Sequence, residues 1–316
     1  HKEYRRQRQM CIRDSDGTAK TLIFHDQIGK GGYGSVYKAT LDGYGFVAAK
    51  VSKLSRASKI EEIRKMLYLE CDVSTYELKH SVLLKRYIYN PIQDDIFGTD
   101  IVRTESGNPN INFGSQSEDC PYDILITLYD LIDGINLKDD MANHVDMGIE
   151  YDTGVILHYM HCMIKGLVEM VDIGVAHRDI KPANFMIQRG SVRYIDFGLS
   201  CKYKKCPIKA KGTFFYLPTE AYKEETWQHD TENMGEWEQR INETKLFEKI
   251  DIYSLGLTFC SFFFNVKDPN FTEASKDEST LRRYVALNVP EPFYLLIIDM
   301  ITIDPKHRIL AHQALE

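Results

Sequence analysis

The stretch His177-Arg178-Asp179-Ile180-Lys181-Pro182-Ala183-Asn184 packs a candidate base, a cation and a candidate metal ligand into eight residues. Its proline stops the apolar, helix-like pattern that precedes it, so the chemistry sits in a loop behind a helix. Taken alone, the stretch also fits an ordinary polar turn. Its meaning depends on what the flanking chain supplies.

Downstream, Asn184-Phe185-Met186-Ile187 and Val192-Arg193-Tyr194-Ile195-Asp196-Phe197-Gly198 flank a turn at Arg189-Gly190-Ser191. Two short strands in a hairpin would bring Asn184 and Asp196 together at one end. Two oxygen ligands on neighbouring strand ends suit a magnesium ion that bridges phosphates, because that ion keeps several waters and takes few protein ligands.

Upstream, Ile28-Gly29-Lys30-Gly31-Gly32-Tyr33-Gly34-Ser35-Val36-Tyr37-Lys38-Ala39 carries glycines at 29, 31 and 34. Such glycines let backbone N–H groups approach phosphate oxygens. A dinucleotide fingerprint would open a helix at this point. The residues that follow are β-branched and aromatic, which predicts a second strand and places the glycines in a β-hairpin. Gly45-Phe46-Val47-Ala48-Ala49-Lys50-Val51 is another strand, ending in a lysine among apolar residues. Desolvating that ammonium is costly without an anionic partner. Residues 59–78 show helical spacing at Ile63, Met66, Leu67, Leu69 and Val73, and Glu70 is the acid expected to pair with Lys50, with Glu61 and Glu62 in the same region.

The remaining elements must hold these groups in place. Residues 1–20 are basic and polar without periodicity, and are expected to be a disordered or non-native flank, since residues 9–15 resemble translated adapter sequence. Residues 91–122 read as a long surface insertion. Ile124-Leu125-Ile126-Thr127-Leu128 predicts a buried strand, and residues 130–134 a connector between two lobes or an ordinary strand-to-helix link. Residues 154–173 predict a helix with Val155, Ile156, Met160, Met163, Ile164, Leu167 and Val168 at helical spacing, delivering the chain to the opening loop.

With 316 residues and 43% hydrophobic content, the chain can bury one large domain or two lobes. A formal charge of -7 argues against a nucleic-acid binder working by broad phosphate neutralisation. Seven scattered cysteines read as reduced thiols in a cytoplasmic or nuclear protein. The stretch Leu255 to Val266 is too short to span a membrane, which takes about 20 residues, and reads as a buried core helix. No nucleic-acid or membrane partner is expected.

Taken together and in order, the glycine loop, Val47-Ala48-Ala49-Lys50, His177-Arg178-Asp179 with Asn184, and Asp196-Phe197-Gly198 resemble the protein-kinase signature set. The resemblance runs from about Leu22 to Leu315. It continues through Gly212-Thr213 and Pro218-Thr219-Glu220, where the usual Ala-Pro-Glu is altered but its glutamate is kept. It implies a two-lobed α+β fold: a small, mainly antiparallel β lobe with one main helix (about 21–129), a hinge (130–134) and a larger, mainly helical lobe (135–316), with insertions at 91–122 and 221–249.

The resemblance also implies roles. Gly29, Gly31 and Gly34 would fold over the phosphates of ATP, and Lys50, held by Glu70, would bind the nonterminal ones. Asn184 and Asp196 would hold Mg2+, with Mn2+ as an alternative. Asp179 would act as catalytic base on the acceptor hydroxyl and Lys181 would stabilise charge. Ile28, Val36, Ala48, Leu131 and Met186 would sandwich adenine, with Asn136 near the ribose. Arg178, Thr213, Glu220, Asp251 and Arg308 would be supports, Glu220 and Arg308 as a buried ion pair and Asp251 steadying the catalytic loop at the start of a central buried helix.

Lys181 fits the pattern of kinases acting on protein serine and threonine. Asn136 and Ala183 replace acids found in arginine-directed relatives, and the segment lysines Lys202, Lys204, Lys205, Lys209 and Lys211 are basic. Acidic or neutral substrate flanks are therefore expected. Only Ser200, Tyr203 and Thr213 are candidate acceptors in the segment, so activity is expected not to need its phosphorylation. The acidic stretch 221–249, with Trp227 and Trp237, is a candidate docking site for a partner or a solvated excursion. The alternative to an active enzyme is a pseudokinase acting as a nucleotide-binding interaction module.

Overall fold

The computed structural model of the chain describes residues 8–13, 19–31, 34–55, 78–82, 84–91, 101–102, 122–203, 206, 212–221 and 245–316. The chain forms two compact units. One comprises His1–Glu77 and Val82–Asp133, the other Leu78–Ser81 and Gly134–Glu316.

The first unit holds strands β1 (Arg8–Arg13), β2 (Ala19–Gly31), β3 (Gly34–Leu41), β4 (Gly45–Ser55), β5 (Leu84–Pro91), β6 (Ile101–Val102) and β7 (Tyr122–Asp130). They form one sheet in the order β5-β7-β4-β3-β2-β1-β6. Every neighbouring pair is antiparallel except β1 and β6. Alternation along each strand sorts the side chains by face. Val47 and Ala49 of β4 are buried with Leu22, Ala39, Leu41, Ile126 and Leu128. Phe46, Ala48 and Lys50 therefore belong to the opposite face. There the Lys38 ammonium lies 4.3 Å from the Phe46 ring centroid, and Val36 is the register partner of Lys50.

The glycine hairpin closes at the pair Gly31 and Gly34. A Cβ at Gly34 would collide with the Val51 carbonyl oxygen, so the turn can lie on β4 only with glycine at that position. Two elements of this unit were not read from the sequence. Arg8–Arg13, inside the flank expected to be disordered, is a strand in register with Ala19–Phe24. Ile101–Val102, inside the expected surface insertion, pairs with β1. A polar segment can join a sheet edge through backbone bonds alone, without apolar periodicity to announce it. The predicted helix at 59–78 and Glu70 fall almost entirely outside the described residues.

The second unit holds β8 (Ile135–Asn136), helices α1 (Leu137–Met147) and α2 (Thr153–Asp172), β9 (Val175–Ala176), β10 (Phe185–Gln188), β11 (Ser191–Tyr194) and β12 (Cys201–Lys202). It continues with α3 (Leu246–Cys260), α4 (Pro269–Ala274), α5 (Glu278–Asn288), α6 (Phe293–Met300) and α7 (Ala311–Leu315). Helix α2 starts where the Asp152 carboxylate accepts the Gly154 and Val155 N–H groups. Of the stripe read from the sequence it buries Ile156, Met160, Met163, Ile164 and Leu167, and it buries Met170 besides, whereas Val155 is exposed. At Gly166 it meets the ring of Tyr194, whose hydroxyl donates to the Met163 carbonyl at 2.8 Å.

Helix α3 is buried along nearly its whole length, and Gly256 lets it approach Met300 and Ile301 closely. The core helix expected over Leu255 to Val266 is shifted: it begins at Leu246 and ends at Cys260. The phenylalanines that follow diverge, Phe263 toward Phe293 and Phe264 toward Phe271 and Tyr284, which one helical face cannot provide. Among the described residues no helix is long and apolar enough to cross a membrane.

The reduced-thiol expectation is also corrected. Cys201 and Cys206 form a disulfide, with Cα atoms 5.1 Å apart. Strand pairing of Cys201 with Ala176 and burial of both sulfur-bearing residues bring the two together, and neither is encoded in the cysteine spacing.

Candidate active site

The loop after β9 is shaped by backbone anchors contributed from distant sequence. Asp251 of α3 accepts the His177 N–H at 2.7 Å and the Arg178 N–H at 2.9 Å. Burial pushes the Asp251 carboxyl up to about 7, against the pull of these two donors and of the Arg178 charge. His177 is fully buried. Its Nε2 donates to the Ile195 carbonyl at 3.2 Å, and its Nδ1 accepts the Asp179 N–H at 3.3 Å. That pattern requires the neutral ring, in keeping with burial, which lowers its pKa. Arg178 has φ 68° and Asp196 φ 62°, a conformation that costs a non-glycine residue about 1–3 kcal/mol and clusters at functional sites.

Asp179 is the centre of a closed network. Its Oδ1 accepts the Thr213 hydroxyl at 2.8 Å, and its Oδ2 accepts the Lys181 ammonium at 2.7 Å and the Asn184 amide at 3.0 Å. Lys181 also donates to Thr213 Oγ1 at 2.7 Å, and the Asn184 amide donates to the Asp179 carbonyl at 2.7 Å. Thr213 arrives from 34 residues downstream because Gly212 precedes it. A Cβ there would collide with the Arg178 carbonyl oxygen, and Gly212 has φ 127°. The arrangement holds a carboxylate and an amino group side by side, with the Thr213 hydroxyl between them.

Residues 182–184 form a 3₁₀ turn that leads Asn184 into β10. The Ile195 N–H donates to the Asn184 carbonyl at 3.0 Å, so the hairpin ends that carry Asn184 and Asp196 lie side by side. Asp196 Oδ1 accepts the Gly198 N–H at 3.3 Å. An amide oxygen and a carboxylate form a hard-donor set that fits a magnesium ion completed by phosphate oxygens and water. Among the described residues no group of three or more His, Cys, Asp or Glu could hold a metal by itself.

Asn136 makes two contacts that the sequence did not suggest. Its Oδ1 accepts the Lys138 N–H at 3.0 Å and caps α1, while its amide donates to the Ala183 carbonyl at 2.6 Å. Met186 pairs with it across β8 and β10. The supports Glu220 and Arg308 form the expected buried pair, Nη1 to Oε1 at 2.6 Å. In the first unit, Val36 and Ala48 share a sheet face with Lys50, Ile28 is half exposed, and Leu131 lies in an irregular stretch after β7. Gly212 and the Cys201–Cys206 pair were not assigned a place in the site from sequence. The glycine before a key threonine was the available signal for the first.

Residues 123–316, more than half of the chain, match the protein kinase domain family. The chain belongs to that family. Members of the family use ATP and a divalent metal ion generally. The matched span of this kinase domain covers the loop at His177, the Asn184 to Asp196 hairpin and the supports, whereas the glycine hairpin and Lys50 precede it. Over 167 residues the kinase domain is 29% identical to serine/threonine-protein kinase Aurora-1 of Arabidopsis thaliana, covering 50% of the chain and 49% of that protein. It is 33% identical over 119 residues to G protein-coupled receptor kinase 2 of Caenorhabditis elegans, covering 34% and 16%. It is 27% identical over 164 residues to a Wee1-like protein kinase of Arabidopsis thaliana, covering 51% and 29%. The matches thus span half or less of the length of these curated relatives.

Proposed function

We propose that this kinase domain transfers the terminal phosphoryl group of ATP to serine or threonine hydroxyls of proteins. The observation that carries the reading is the closed network of Asp179, Lys181, Asn184 and Thr213. The acceptor oxygen attacks the γ-phosphorus, the bond from that phosphorus to the bridging oxygen breaks, and ADP leaves. Asp179 orients the hydroxyl and takes its proton. Lys181 balances charge gathering on the transferred group, and Thr213 fixes the rotamer of Asp179. Phosphoryl transfer asks mainly for positioning and charge stabilisation, which such a network supplies.

Asn184 and Asp196 are assigned to Mg2+, with Mn2+ as an alternative. When bound, the ion would neutralise charge on the phosphates. Gly29, Gly31, Gly34 and Lys50 are assigned to the phosphates, with Glu70 as the partner of Lys50. Ile28, Val36, Ala48, Leu131 and Met186 are assigned to adenine and Asn136 to the ribose. The Lys181 pattern and the name of the Aurora-1 relative support serine and threonine acceptors. The basic segment and Ala183 support acidic or neutral substrate flanks. A docking role for 221–249 rests on composition, since residues 222–244 lie outside those described.

Transfer of labelled phosphate from ATP to a generic protein tests the reading. Activity lost in both Asp179→Asn and Asp196→Ala, with folding retained, is the expected result. Absence of transfer by the unaltered chain under any divalent metal would instead favour a nucleotide-binding interaction module.

A further inference from the structure

The disulfide between Cys201 and Cys206 lies at the start of the segment that ends in Thr213 and Glu220, and both cysteines are buried. Cys201 is strand-paired with Ala176, the residue before His177. Its Sγ accepts a hydrogen bond from Arg178 Nη1 at 3.5 Å, and the Arg178 guanidinium lies 6.0 Å from the Phe247 ring centroid. Cys206 belongs to the same apolar cluster as Ala221, Phe247 and Ile250, so the bond ties the beginning of the segment to the core that receives its end. Around it the Ser200 hydroxyl donates to the His177 carbonyl, Lys202 to the Ile173 carbonyl, and the Tyr203 N–H to the Gly174 carbonyl. Cys162 and Cys260, by contrast, are buried free thiols.

We propose that Cys201 and Cys206 are a reversible dithiol–disulfide couple whose oxidised form clamps Cys201, held beside Arg178, to Cys206 in the core of Ala221, Phe247 and Ile250, making phosphoryl transfer depend on thiol redox state. The inference rests on the kinase reading for its consequence, not for the couple itself. The Arg178 guanidinium against its Sγ marks Cys201, rather than Cys206, as the attacking sulfur. The oxidant is a low-molecular-weight disulfide such as oxidised glutathione. The Cys201 thiolate attacks one of its sulfurs, forming a mixed disulfide and expelling one small thiolate. Cys206 then attacks the Cys201 sulfur, forming the protein disulfide and expelling the second. Two electrons pass to the oxidant, and the two cysteine protons end on the two small thiols. Burial of both sulfur-bearing residues slows exchange, so the oxidised state persists once formed.

The test equilibrates the full chain in glutathione buffers of graded thiol-to-disulfide ratio. Three readouts are taken: alkylation mapping of Cys201 and Cys206, tryptic cleavage after Lys202, and transfer of labelled phosphate. The two cysteines are expected to titrate together. Cleavage is expected to be about tenfold faster in the reduced form, because proteolysis tracks the population of the open segment. The transfer rate is expected to fall about tenfold or more on reduction, since small misplacements of catalytic groups are costly. The doubly substituted C201S/C206S chain should cleave like the reduced form and ignore the ratio. Unpaired cysteines at every ratio, cleavage that does not vary, or redox dependence surviving in C201S/C206S would each overturn the proposal. Coupled mapping and cleavage with no transfer in either state would uphold the clamp and sink the kinase reading.

Discussion

Arg308 and Glu220, 88 residues apart, are joined by a 2.6 Å hydrogen bond from Nη1 to Oε1, and the arginine side chain is fully buried. The same guanidinium donates to the carbonyls of Thr302, Lys249 and Ile303. It knits the end of the segment to α3 and to the turn after α6. Arg308→Ala would leave a buried carboxylate and three carbonyls without their donor. A loss of about 3–5 kcal/mol in urea unfolding is expected, as for other broken buried pairs. Glu220→Gln keeps an acceptor for Nη1 and should cost clearly less.

Asp251 gives a pH dependence whose sign is fixed by burial. Its carboxyl is raised from 3.8 to about 7 in the folded chain. The unfolded state therefore releases this proton first as pH rises, so this contribution is full below about pH 4 and is lost progressively up to about pH 7. Urea midpoints of the unaltered chain should fall relative to Asp251→Asn between pH 5 and pH 7.5, windows set by that shift. Parallel profiles for the two proteins would contradict this.

Removing the proposed base, Asp179, should leave nucleotide binding intact and lower turnover. Asp179→Asn is expected to reduce kcat by a factor of about 10² to 10⁴, the usual span for a lost general base. Thr213→Ser retains the hydroxyl between Asp179 and Lys181 and should stay within a few-fold of the unaltered enzyme, whereas Thr213→Val should not. Steady-state kinetics with calorimetric ATP titration separates the two effects.

Gly212→Ala places a methyl group against the Arg178 carbonyl oxygen and a side chain at φ 127°. The segment must retreat, taking Thr213 away from Asp179. A kcat loss of about 10² is expected, in line with the sensitivity of catalysis to displacements near 1 Å. The melting temperature should change little, because Gly212 lies outside the buried core.

Gly166→Ala is the complementary case, in which stability is lost first. Its Cβ would stand 2.6 Å from Tyr194 Cε2, in the buried contact between α2 and β11. Tyr194 is fully buried and cannot swing away, so the overpacking should cost about 1–3 kcal/mol. Replacing Tyr194 by Leu in the same chain should recover part of that loss.

Much of this protein was determined locally. The alternation of Val47 and Ala49 against Ala48 and Lys50 sorts β4 by face, the stripe from Ile156 to Leu167 makes α2, and Pro182 opens the 3₁₀ turn that leads to Asn184. The motif order alone pointed to a kinase domain. These are short-range properties, because strand and helix periodicities are written in neighbouring residues.

Other features needed the folded chain. The sequence could name Thr213, but packing carries it to Asp179, and the collision a side chain would make at Gly212 explains how. Asn136 was read as a ribose contact; what the folded chain shows is a bridge from α1 to Ala183. Arg8–Arg13 had no periodicity, and its strand depends on a neighbour that offers free backbone groups. Cys201 and Cys206 were visible as a spacing, yet only the pairing of β12 with β9 and burial against Phe247 decided that their sulfurs meet. Contacts between residues far apart in the chain depend on how whole elements pack, and no local pattern encodes that packing.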